Sequence, residues 1–86
     1  MGNVIKIIKK MQENPRDWRI EQLETVARHF EINVRKTKGS HVVFDHPQWV
    51  ELLCVPAHRP IKPVYIKQFL SLIELLEANG YGNKRT

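Results

Sequence analysis

The order of its hydrophobic periodicities predicts that this chain folds as a small α+β domain, with helices packed on one face of a three-stranded antiparallel sheet. Two apolar patterns at helical spacing come first. Three short strand-like runs follow, separated by turn residues, and a long apolar helix opening at a proline closes the pattern. Helices gathered on one side leave the other face of the sheet open.

Val4, Ile7, Ile8 and Met11 recur at helical spacing from a cap at Asn3, and the pattern stops at Asn14-Pro15, which predicts a first helix over about 3–13. Ile20, Leu23, Val26, Ala27 and Phe30 repeat the period on a second helix, Ile20 to Phe30, with Trp18 packing at its start. Ile32 to Lys36 and Val42 to Phe44 read as a hairpin. Asp45-His46-Pro47-Gln48 turns the chain into a third strand, Val50 to Val55, whose successive Leu52 and Leu53 imply burial on both sides. A loop, Pro56 to Lys62, leads to the last helix, which runs from Pro63 to a stop at Asn79-Gly80 and leaves 80–86 to fray. Ile66, Phe69, Leu70, Ile73 and Leu76 form its core stripe. Tyr65, Leu72 and Leu75 widen that stripe beyond what one sheet needs, so either the first helix or a partner protein covers the surplus.

Eighty-six residues with 42% hydrophobic content suit one domain, with a core over about 19–79. Repeats, low-complexity segments and dividing linkers are absent from the sequence. The single Cys54 excludes an intramolecular disulfide framework and a cysteine-rich zinc site, and fits a reducing compartment, the cytoplasm by default. Lys6, Lys9 and Lys10 interrupt the opening segment, so it lacks the apolar core of a signal peptide or a membrane span. Fourteen basic against nine acidic residues give a net charge of +5, which favours nucleic acid or an acidic protein as partner.

The run Gly39-Ser40-His41 is where chemistry is expected. A glycine at a hairpin tip turns the backbone with positive φ, and the histidine beyond it is held on a strand. Of the two simplest registers, a three-residue loop, Thr37-Lys38-Gly39, pairs Val34 with Val42 and Ile32 with Phe44, which gathers the apolar residues on one face. His41 then faces solvent opposite Arg35, and Asn33 lies opposite Val43. An imidazole beside a guanidinium suits phosphate.

From Arg19 to about Leu76 the chain resembles the HicA family of toxins. The residues are Gly39-Ser40-His41-Val42-Val43-Phe44, then His46-Pro47, then Val55-Pro56-Ala57-His58, then Ile61-Lys62-Pro63, in the family's order and spacing. The resemblance implies an mRNA-cleaving toxin of a type II toxin-antitoxin system. It also implies a fold like a double-stranded-RNA-binding domain and inhibition by a HicB-type antitoxin. Two departures stand out: Phe30-Glu31-Ile32 lies where family members often carry glycine, and the first helix precedes the shortest members.

Metal-independent RNA cleavage needs a base for the 2′-hydroxyl proton and an acid for the leaving oxygen. Histidine, with an ordinary pKa of about 6.5, can be either. The resemblance makes His41 the catalytic candidate, with Arg35, Lys36 and Lys38 neutralising phosphate and Gly39 admitting the substrate backbone. Ser40 is a supporting residue, its expected inward register favouring a hydrogen bond within the loop. His58 is a second acid or base or a positioning residue, grouped with Arg59 and Lys62 in RNA binding. His46 reads as turn chemistry and His29 as surface. The histidine spacing lacks a metal-ligand pattern, and no cofactor is expected. Other classes keep their place: a solvated basic strand edge, a noncatalytic double-stranded-RNA-binding module, or a protein adaptor.

Overall fold

In the computed structural model, residues 2–37 and 39–81 are described. The first apolar period forms helix α1, Gly2–Glu13, and the second forms α2, Ile20–His29. Asn3 therefore lies inside α1 and does not precede it as a cap. α1 packs against both α2 and α3, the last helix, Pro63–Ala78, and buries Val4, Ile8 and Met11. The link between α1 and α2 is pinned by hydrogen bonds. The Trp18 indole Nε1–H donates to the Asn14 carbonyl at 2.7 Å, and the Arg16 N–H donates to Asn14 Oδ1 at 3.1 Å. At the start of α2 the Gln22 side chain reaches back to accept the Arg19 N–H at 2.9 Å, satisfying one donor the helix cannot.

α2 ends one residue earlier than its apolar period because Phe30 is the C-cap and Glu31 turns left-handed, at φ 62°. The Ile32 N–H donates to the Ala27 carbonyl at 2.9 Å and the Glu31 N–H to Arg28 at 3.3 Å, the paired bonds of a Schellman end. The missing glycine does not change the motif; a glutamate occupies the left-handed position. The buried Ala27 and Ile32 supply its apolar closure.

Strands β1, Asn33–Lys36, β2, His41–Asp45, and β3, Leu53–Pro56, form an antiparallel sheet in the order β1-β2-β3. The hairpin closes one residue further along than expected, at the Thr37 N–H to His41 carbonyl bond of 3.1 Å. Val34 pairs with Phe44 and Lys36 with Val42, in place of the expected Val34–Val42 and Ile32–Phe44 pairs. The register differs by two, so the strand side chains keep the faces the apolar pattern gives them while their cross-strand neighbours change; Ser40, expected inward, is exposed because it lies beyond the paired residues. Val42, Phe44, Leu53 and Val55 are buried beneath the helices; His41, Val43, Cys54 and Pro56 alternate onto the open face.

The third strand begins later than Val50. Trp49 is buried and closes a turn through its N–H to the His46 carbonyl at 2.9 Å, so 50–52 pass outside the sheet. Val50 is 100% exposed and Leu52 50%, and the expected two-sided burial does not occur. His46 serves the same turn, its Nδ1 accepting the Gln48 N–H at 3.0 Å.

α3 opens with Pro63 in its first turn and buries the expected stripe, with Phe69 ring-to-ring against Phe44 at 5.4 Å. It ends in a second Schellman motif: Gly80 has φ 89°, and the Tyr81 N–H donates to Leu76 at 2.9 Å. The Tyr81 ring meets His46 edge-on at 4.6 Å, so Gly80 and Tyr81 are fixed where fraying was expected; 82–86 lie outside the described residues. α1 packs against α3, yet the apolar surplus stays at the surface: Tyr65 lines a cleft with Pro56, Pro60 and Lys62. Leu72 and Leu75 line an open groove with Trp49, Val50, Leu52 and Leu53. Among the described residues, no helix is long and apolar enough to cross a membrane.

Two stability measurements test these assignments. Met11→Ala removes a fully buried side chain and should cost about 2–4 kcal/mol in denaturant unfolding; a cost below about 0.5 kcal/mol would mean α1 is not part of the cooperative core. Glu31→Gly should instead raise stability by about 0.5–1 kcal/mol by relieving the left-handed backbone.

Candidate functional site

Period-two alternation fixes the site. Because Val42 and Phe44 point into the core, His41 must point to the open face, and it is exposed. Its cross-strand neighbours are Thr37 on one side and Pro56 on the other. Arg35 pairs with Val43, one position along the same face, so guanidinium and imidazole are diagonal neighbours and not directly opposed. Val43 is only 9% exposed, flanked by Arg35 and Cys54, and stays separate from the main core.

Lys36 stands on the other face. Its ammonium lies 3.5 Å from Glu24 Oε2 on α2, with the lysine side chain 70% exposed and the glutamate 11%. Glu24 is buried and that oxygen has no hydrogen-bond partner, so the lysine balances a carboxylate held away from water. The expected grouping of Lys36 with Arg35 around His41 is therefore replaced by a link between α2 and β1. The reason is parity: adjacent strand residues point to opposite faces. Lys38 lies outside the described residues.

Gly39 has φ 85°, the positive value expected of the hairpin tip, and a Cβ there would meet nothing within 4 Å, so its glycine requirement is conformational. Ser40 is exposed, and its backbone carbonyl is the engaged group, accepting the Ala57 N–H at 2.5 Å. That bond carries the β2–β3 pairing one step past His41–Pro56 and brings His58 to the same end of the sheet. His58 is two residues from the partner of His41, at most about 7 Å of chain.

His58 is exposed at the mouth of two clefts. One, of about 120 Å³, is lined by Pro56, Pro60, Lys62 and Tyr65. The other, of about 540 Å³, shares Pro60 and Lys62 and is otherwise lined by Arg16, Asp17, Arg59, Ile61 and Pro63. Arg16 and Asp17 arrive there from the α1–α2 link because Trp18 forms an isolated antiparallel bridge with Ile61, whose N–H donates to the Trp18 carbonyl at 2.8 Å. Arg59 and Lys62 thus join His58, as the sequence suggested. Arg16 and Arg19 were missed, because about forty residues separate them from the loop they meet and only the buried Trp18 and Ile61 hint at the contact. His29 is partly buried at the end of α2, its ring 5.3 Å from that of Phe30. Among the described residues, no three His, Cys, Asp or Glu side chains gather as a metal-binding set.

Comparison with known protein families, with curated proteins and with solved structures gives no match to this chain.

Arg35 and Lys36 should separate in two assays. Lys36→Gln leaves the Glu24 carboxylate unbalanced and should lower stability by about 1 kcal/mol, a melting shift of a few degrees, with little effect on binding to a labelled RNA oligonucleotide. Arg35→Gln should do the reverse. Equal losses of RNA affinity in both would contradict the separation of faces.

Proposed function

We infer that this chain is a HicA-like endoribonuclease, the cytoplasmic toxin of a type II toxin-antitoxin pair, which cleaves mRNA without a metal and is neutralised by a HicB-type antitoxin. The observation that supports it best is an exposed imidazole held on a strand of the open sheet face, diagonal to Arg35, with His58 brought to the same end by the Ser40–Ala57 bond. The α-β-β-β-α order of residues 20–78, with helices on one face, suits a double-stranded-RNA-binding-like unit to which α1 is added.

In this reading the substrate's 2′-oxygen attacks the adjacent phosphorus, the bond to the 5′-oxygen breaks, and a 2′,3′-cyclic phosphate forms. One group accepts the 2′-hydroxyl proton and another supplies a proton to the departing 5′-oxygen. His41 fills one role. His58 fills the other or positions the strand, and Arg35 stabilises charge developing on the phosphoryl oxygens. Gly39, which has no side chain of its own, lets the substrate backbone approach at that position. Covering this face with an acidic antitoxin surface would block both substrate and His41.

The second reading is a noncatalytic RNA-binding module, favoured by Lys62 at the N-cap of α3 beside Arg59. Incubating the protein and its His41→Ala form with end-labelled RNA and a chelator separates the two. The enzyme reading expects cleavage by the parent and a loss of at least about a hundredfold in the variant, with an unchanged melting temperature. Binding without cleavage by either form selects the module; equal cleavage by both removes His41 from the chemistry.

A further inference from the structure

The cationic residues around the Trp18–Ile61 bridge are not absorbed by the site at His41. Arg16 lines the cleft of about 540 Å³ with His58, Arg59 and Lys62. Arg19 and Arg59 line an adjoining cleft of about 250 Å³. The two clefts share Asp17, Arg59 and Pro60, so they form one continuous surface. Its four cations are opposed by one lining acid, Asp17, and among the described residues none of the four makes an ion pair. Repulsion among like charges is an unfavourable arrangement for a surface with no anionic ligand.

The backbone beneath these cations is fixed. Trp18 and Ile61 are buried, at 9% and 1% exposure, and the residues flanking them are exposed: Asp17 and Arg19 on one chain, Pro60 and Lys62 on the other. The antiparallel bridge therefore displays charged side chains on either side of an apolar anchor, and the Asn14 hydrogen bonds hold the incoming loop. His58 belongs to this surface and also stands two residues from the partner of His41. The cationic surface thus begins where the candidate site ends.

We propose that Arg16, Arg19, Arg59 and Lys62 form a second phosphate-binding station, which holds the backbone of the same RNA strand whose scissile phosphate lies at His41. The inference rests on the ribonuclease reading for the position of the scissile phosphate, and it adds the α1–α2 link to the substrate surface. RNA is favoured over an acidic protein because the cations are spread over two adjoining open clefts that share Arg59 and reach His58 at the end of the sheet, a span that suits a polyanionic strand. Asp17 tunes the station by weakening it.

The test uses the full chain carrying His41→Ala, which preserves the RNA, and a fluorescent single-stranded RNA oligonucleotide titrated at several salt concentrations. Adding Arg16→Ala and Arg19→Ala should weaken binding about tenfold near physiological salt and flatten the log–log salt dependence by about 1.4, the loss of two phosphate contacts. Asp17→Asn keeps a residue type that tolerates the observed φ of 64° and should tighten binding. Opposite signs in the two variants exclude general unfolding as the cause. Unchanged affinity and salt slope in the double variant overturn the proposal, whatever the cleavage assay gives. Arg16/Arg19-dependent binding of polyglutamate, with RNA binding independent of both, overturns it in favour of an acidic protein. The expected shifts without cleavage by the parent uphold the RNA station while the ribonuclease reading fails.

Discussion

The burial of Val42 and Phe44 beneath the helices is the constraint on which the arrangement of this molecule depends. β2 is the central strand, and Phe44 packs at zero exposure against Phe69 of α3. Removing such a ring from water contributes on the order of 1.5–3 kcal/mol. A slip by one residue would reverse the faces of the strand and expose that ring. The same alternation that protects Phe44 sends His41 outward, puts Arg35 on its face and turns Lys36 to the helices. The position of the candidate site is thus a by-product of core packing.

Two left-handed helix ends set the frame around that strand. Glu31 turns the chain from α2 into β1, and Gly80 folds it back after α3 so that Tyr81 can reach His46. The motifs share one hydrogen-bond pattern and differ in their backbone cost, because only glycine lacks the Cβ that disfavours this region. Lys36 and Glu24 add a second tie between α2 and β1, by charge, where the helix already meets the sheet.

The third feature of the architecture is the pairing of the two long connections. A single bridge between Trp18 and Ile61 joins the α1–α2 link to the β3–α3 loop, and it places arginines from both beside His58. In chemical terms the open face and this cleft are continuous, while the apolar groove along α3 at Leu72 and Leu75 is a separate surface.

Sequence alone determined the helix periods, the existence and order of the strands, the faces of Arg35, His41, Val42 and Phe44, the positive φ at Gly39 and the turn role of His46, because local sterics and apolar alternation govern these features. It marked His41, Arg35, His58, Arg59 and Lys62 individually. Tertiary structure decided which of them meet. The hairpin register moved by two without changing faces, a shift the apolar pattern cannot detect; of Leu52 and Leu53, both expected buried, only Leu53 is, with Trp49 buried ahead of it; and Glu24 drew Lys36 into a cross-element pair. The Arg16–Arg59 neighbourhood exists only because two loops distant in sequence close over the same buried anchors, and no local periodicity encodes that contact.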